Sequence, residues 1–195
     1  MWVSDKYQIQ WWLPPRTASR MTSQFLKKID FHQQWGHHTV FGESRYDVYV
    51  NIRNPYSKSI SYYFLGQEQN YKKTFEEFIR ESKGDYSHMK NSHLLDYLEA
   101  FRDRKLEPKK IIRYENLMED LLSVEIIQDN IELFEDEIKK LKEGVSPWRS
   151  KYKSELLKPY CEFFTQELAD IVYENQKKFF DFGQYEKDSW KTLKN

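Results

Sequence analysis

Tyr46-Asp47-Val48-Tyr49-Val50-Asn51-Ile52-Arg53-Asn54-Pro55 decides the fold class. Up to Ile52 the stretch alternates and is rich in β-branched and aromatic side chains, which predicts a strand. Pro55 suits the first turn of a helix, where its missing N–H has no partner to lose, and Tyr56 to Leu65 reads as that helix. The same order occurs upstream. Tyr7 to Leu13 is a short, aromatic, β-prone run that stops at Pro14-Pro15. Arg16-Thr17-Ala18-Ser19-Arg20 is a tight polar loop, after which Met21, Phe25, Leu26 and Ile29 recur at helical spacing, with Ser19 as candidate N-cap. Two strand–loop–helix units in the first third predict parallel strands joined by crossover helices.

Further along, Phe75 to Glu81 and Ser92 to Arg104 have helical periodicity, and Lys109 to Arg113 reads as a short strand. Trp35 to Phe41 fits neither pattern. More helices follow, broken at Gly144-Val145-Ser146-Pro147, and the last runs from about Thr165 to Phe180. The expected architecture is α/β, with a small central parallel sheet flanked by helices and a helical C-terminal half. The length of 195 residues fits a single domain over 1–195.

The 31 basic and 31 acidic side chains cancel, which argues against a protein that holds duplex nucleic acid by bulk charge. Any anion site must then be local, built from a few Arg side chains and backbone N–H groups. No stretch approaches the roughly 20 apolar residues of a membrane span, and Met1-Trp2-Val3-Ser4 does not lead into a signal-peptide core. A soluble, cytoplasmic protein is expected. The lone Cys161 excludes an intrachain disulfide and a multi-Cys metal site. Its setting, Tyr160-Cys161-Glu162-Phe163-Phe164, predicts a core thiol.

Parallel sheets bind ligands at the carboxyl ends of their strands, and helix N-termini favour phosphate. Leu13 to Arg20 is placed for that. Thr17, Ala18 and Ser19 are small enough to let backbone approach an anion, and Arg16 supplies a cation. A nucleoside-triphosphate P-loop needs glycine at both ends and a Lys-Ser/Thr pair, but no glycine occurs between Met1 and Trp35. At the second strand end, Arg53 and Ser61 can converge on one phosphate; the plainer alternative is a surface Arg and an unrelated helix Ser.

Taken together, these segments resemble the sulfotransferase superfamily that uses 3′-phosphoadenosine 5′-phosphosulfate (PAPS), and within it the small bacterial and phage members. Pro15-Arg16-Thr17-Ala18-Ser19 is similar to that family's 5′-phosphosulfate loop. Arg16 stands where many members carry Lys, and Ala18 where many carry Gly. Arg53-Asn54-Pro55 with Ser61 resembles the 3′-phosphate motif. Arg113-Tyr114-Glu115-Asn116-Leu117 looks like a strand end common in the family, and Phe179 to Tyr185 like its closing helix and tail.

The resemblance implies a three-layer P-loop-type fold. It also implies transfer of a sulfuryl group from PAPS to a hydroxyl or amine acceptor (a glycan, lipid or small molecule), with adenosine 3′,5′-bisphosphate as product. Arg16 would stabilise the leaving oxygen, and Thr17, Ala18, Ser19 and Arg20 would surround the 5′-phosphate. Arg53 and Ser61 would hold the 3′-phosphate. No metal is expected, because Arg and backbone donors can neutralise the leaving group. His37 and His38 are the candidate bases, with His32 and Glu43 as alternatives. Arg149, Lys151 and Lys153 are candidates for a basic loop over the nucleotide. A non-catalytic nucleotide- or glycan-binding module on the same fold, and a P-loop kinase, are the competing readings.

Overall fold

Trp2–Ser4 (β1) and Ile9–Trp12 (β2) form an antiparallel hairpin, in the register Trp2↔Trp11, Val3↔Gln10 and Ser4↔Ile9. The hairpin is the first feature of the computed structural model, which describes residues 1–33, 46–84, 107–142 and 158–193. Tyr7, expected to open a strand, lies in the connecting turn, where its N–H donates to Ser4 Oγ at 3.3 Å. Gln8 completes the turn at φ 55°.

Three more strands join this hairpin: His32–Gln33 (β3), Asp47–Ile52 (β4) and Lys110–Arg113 (β5). The five-stranded sheet has the order β3-β1-β2-β4-β5. β2, β4 and β5 are parallel, as expected, whereas β1 runs antiparallel to both its neighbours. The sheet is therefore mixed, which corrects the purely parallel expectation. The reason is chain length. Only four residues link β1 to β2, and a parallel pair needs a crossover of a dozen or more. Because β2 and β4 are parallel neighbours, their carboxyl ends lie on the same edge of the sheet.

The described helices are Ser19–Lys28 (α1), Pro55–Glu68 (α2), Phe75–Ser82 (α3), Leu117–Leu122 (α4), Glu125–Gln128 (α5), Glu135–Lys142 (α6) and Gln166–Gly183 (α7). The predicted helix over Ser92 to Arg104 and the break at Gly144 to Pro147 lie outside the described residues. Among the described residues no helix is long and apolar enough to cross a membrane.

The chain divides into two compact units, Met1–Ile52 with His93–Trp148, and Arg53–Ser92 with Arg149–Asn195. The first contains the sheet. Its core gathers Trp11, Tyr49 and Ile112 from the strands with Phe25 and Leu26 of α1, Leu121 of α4 and Phe134. Phe25 stacks on Phe134 at 4.7 Å between centroids, and Trp11 meets Tyr49 edge-on at 5.2 Å. Past β5, a 3₁₀ turn over Tyr114–Asn116 leads into α4, and Asp120 on α4 accepts the Arg113 N–H at 2.6 Å.

The second unit packs α2, α3 and α7 around Tyr56, Ile60, Phe78, Phe164, Val172 and Phe180. Helix α2 is buried on nearly all sides, its first eight residues included, so its hydroxyls need partners within the protein. Thr74 and Glu77 make a reciprocal capping box on α3, and Thr165 caps α7. Helix α7 leaves helical geometry at Gln176 (φ −112°, ψ 15°), whose buried side chain lies against Gly84. Cys161 is exposed in a 3₁₀ turn, not in the core as expected. The turn breaks the helical spacing on which that expectation rested, and Tyr160 and Phe164 take the buried positions instead.

Candidate functional site

In the first unit, the segment between β2 and α1 has an unusual backbone. Arg16 (φ 66°) and Ala18 (φ 59°, ψ 22°) both lie in the left-handed region. For a residue with a Cβ this conformation costs about 1–2 kcal/mol, so the surroundings must hold it. A buried polar network does so. Thr17 Oγ1 donates to the Pro14 carbonyl at 2.6 Å, closing the turn on itself. Asn51, on the neighbouring strand β4, donates through Nδ2 to the Thr17 carbonyl at 3.0 Å and to Thr22 Oγ1 at 2.7 Å. Its Oδ1 accepts from Trp11 Nε1 at 2.8 Å. Trp11, Thr17, Thr22 and Asn51 are all fully buried.

This geometry sets what the loop can offer an anion. The N-cap of α1 is Ala18, not Ser19, and no side chain caps the helix. A capping hydroxyl requires extended dihedrals at the cap, and the left-handed Ala18 occupies that position instead. A left-handed residue followed by the first helical residue turns successive N–H groups toward one point, a concavity suited to anions. That array starts at Ala18, Ser19 and Arg20. The Thr17 hydroxyl faces inward, so the part of Thr17 left for a ligand is its backbone. Arg16 is half-buried and Arg20 exposed.

In the second unit, Arg53 precedes α2 and is not a surface residue: only 9% of it is exposed. Its Nε donates to Ser57 Oγ at 2.6 Å. Asn54 caps the helix, accepting the Tyr56 N–H at 2.9 Å and donating through Nδ2 to Ser189 Oγ at 2.9 Å. Pro55 occupies the first helical position. Ser57 and Ser61 stand one turn apart on the same helix face, with 0% and 1% exposure. Ser59 is occupied with its own helix, donating to the Pro55 carbonyl at 2.8 Å. The structure thus joins Arg53 to Ser57 directly and sets Ser61 one turn further along.

Sequence reasoning overlooked Ser57 and Lys58. Lys58 is buried, its Nζ 5.1 Å from the Phe179 ring centroid and 5.9 Å from that of Tyr62. The available signal was the polar run Ser57-Lys58-Ser59 set between Tyr56 and Ile60 directly after Arg53-Asn54-Pro55. Tyr56, at the start of the same helix, donates its hydroxyl to the Lys187 carbonyl at 2.7 Å, and burial pushes its phenol well above the ordinary range.

His37, His38, Glu43, Arg149, Lys151 and Lys153 lie outside the described residues. His32 is exposed on β3. Among the described residues no three His, Cys, Asp or Glu side chains gather in a way that would hold a metal ion. The chain matched no protein-family model, no curated protein and no solved structure.

Proposed function

We propose that the chain is a sulfotransferase on a P-loop-type fold, moving a sulfuryl group from PAPS to a hydroxyl or amine acceptor. The observation that carries the reading is the buried Arg53, whose guanidinium is held by Ser57 beside Ser61 on the first turns of α2. A buried guanidinium beside helix serines can bind a phosphate monoester through charge-assisted hydrogen bonds. A 3′-phosphate is the group that separates this donor from ATP. The second support is the loop at Arg16 to Arg20, where left-handed backbone and an uncapped helix suit a 5′-phosphosulfate.

In the proposed reaction the acceptor oxygen or nitrogen attacks sulfur in line. The bond from sulfur to the bridging oxygen of the 5′-phosphate breaks, and that oxygen leaves with the electron pair. Arg16 and the N–H groups from Ala18 onward stabilise the charge that develops there. The acceptor's proton passes to a base, for which His37 and His38 are the candidates. The acceptor classes that suit this chemistry are a glycan, a lipid or a small molecule.

The test is a thermal-shift comparison of adenosine 3′,5′-bisphosphate, ATP and ADP. A midpoint raised by the bisphosphate alone is expected. A shift with magnesium and ATP but not with the bisphosphate would refute the reading in favour of a kinase. Bisphosphate binding with no sulfate transferred across an acceptor panel would reduce the reading to a binding module.

A further inference from the structure

We infer that Asn51 is a positioning residue for the donor's 5′-phosphate: by holding the Thr17 carbonyl inward it turns the Ala18 N–H toward the anion. The inference rests on the reading of the Arg16 to Arg20 loop as the 5′-phosphosulfate site. Asn51 is fully buried, so it acts through the loop and not by touching the nucleotide. Its amide is committed inside the protein, with Nδ2 donating to the Thr17 carbonyl and to Thr22 Oγ1 while Oδ1 accepts from Trp11 Nε1. The Trp11 bond fixes which end of the amide faces the loop, because only the oxygen can accept that N–H.

The Thr17–Ala18 peptide is trans and planar, so its carbonyl and N–H point in opposite directions. A carbonyl tied to Asn51 at 3.0 Å therefore directs the Ala18 N–H away from the buried network. No group among the described residues accepts that N–H. Rotating the same peptide by half a turn would present the carbonyl oxygen to an anion. It would also take Ala18 from φ 59° to the negative φ that a residue with a Cβ prefers. Alanine thus favours the wrong orientation, and Asn51 supplies the bias against it. Glycine has no such preference, so at position 18 it would depend on Asn51 less.

The readout is a ratio of two dissociation constants, measured by calorimetry on the full chain. Adenosine 3′,5′-bisphosphate is compared with adenosine 3′-monophosphate, which lacks only the 5′-phosphate. Asn51→Ala should shrink the preference for the bisphosphate about tenfold, with the 3′-monophosphate unchanged within about twofold. Thr22→Val takes away one of the amide's acceptors, keeps the side chain's shape and should shrink the preference about threefold. It carries the test should Asn51→Ala fail to fold. In either background Ala18→Gly should restore the preference, by at least about twofold more than the same change does in the unaltered chain. A preference unmoved in Asn51→Ala, or in Thr22→Val where Asn51→Ala is unfolded, overturns the positioning role and leaves the nucleotide reading standing. A preference lost but not restored by Ala18→Gly does the same. Equal losses for both nucleotides assign Asn51 to folding and also overturn the role. No preference for the bisphosphate in the unaltered chain overturns the nucleotide reading itself.

Discussion

Replacing Asn51 with alanine tests whether one buried amide holds the loop in shape. The side chain makes three bonds: to Trp11 Nε1 at 2.8 Å, the Thr17 carbonyl at 3.0 Å and Thr22 Oγ1 at 2.7 Å. All of these residues are fully buried, so water cannot replace the lost partner. The Thr22 hydroxyl can rotate, but the Trp11 N–H and the Thr17 carbonyl are left stranded, each at about 1–3 kcal/mol. We expect Asn51→Ala to cost about 3–4 kcal/mol, a large share of the roughly 5–15 kcal/mol available to a protein of this kind. At about 2–4 °C per kcal/mol, the melting midpoint falls by about 10 °C. Urea unfolding followed by tryptophan fluorescence measures the first quantity and calorimetry the second. Asn51→Asp sharpens the test, because it keeps an acceptor for Trp11 but turns an oxygen toward the Thr17 carbonyl. Burial would raise the introduced carboxyl's pKa above its unfolded value, so this variant should be less damaged at about pH 4 than at pH 7. A loss below about 1 kcal/mol in Asn51→Ala would refute the anchoring role.

Ala18→Gly should be neutral or stabilising within about 1 kcal/mol, since relief of the left-handed cost is set against added freedom in the unfolded chain, while Ala18→Val should cost about 2 kcal/mol or more. Equal urea midpoints for the two variants would contradict the left-handed cap. Gly84 has φ +78°, and a Cβ there would lie 3.0 Å from Gln176 Cγ, so Gly84→Ala should cost at least about 1–2 kcal/mol in the same assay. Glu77 is held below the usual carboxylate range by the Thr74 backbone N–H and then by its hydroxyl, so its stabilisation is present above the unfolded pKa and lost as pH falls through the folded one. The protection of α3 amides from hydrogen exchange should therefore decline between about pH 5 and pH 3, and Glu77→Gln should flatten that decline; an unchanged pH profile in the variant would remove Glu77 as its cause.

The sequence by itself determined the two strand–loop–helix units, because strand alternation, Pro55 and the spacing of Phe25 and Leu26 act over a few residues and do not depend on distant partners. It also placed the start of α2 through Pro55, whose effect is local, whereas the Asn54 cap emerged only in the structure. It missed β1, since a three-residue strand carries too little periodicity to register and exists only by pairing with β2 and β3. Only the tertiary structure decided the conformation of the Arg16 loop. Ala18 has no intrinsic preference for left-handed backbone, and the residue that fixes the loop, Asn51, comes from a different strand 34 positions from Thr17. The Arg53–Ser57 pair lies between these cases. Its spacing of four residues was visible, but only the tertiary structure buries both side chains and sets Arg53 Nε against Ser57 Oγ at 2.6 Å.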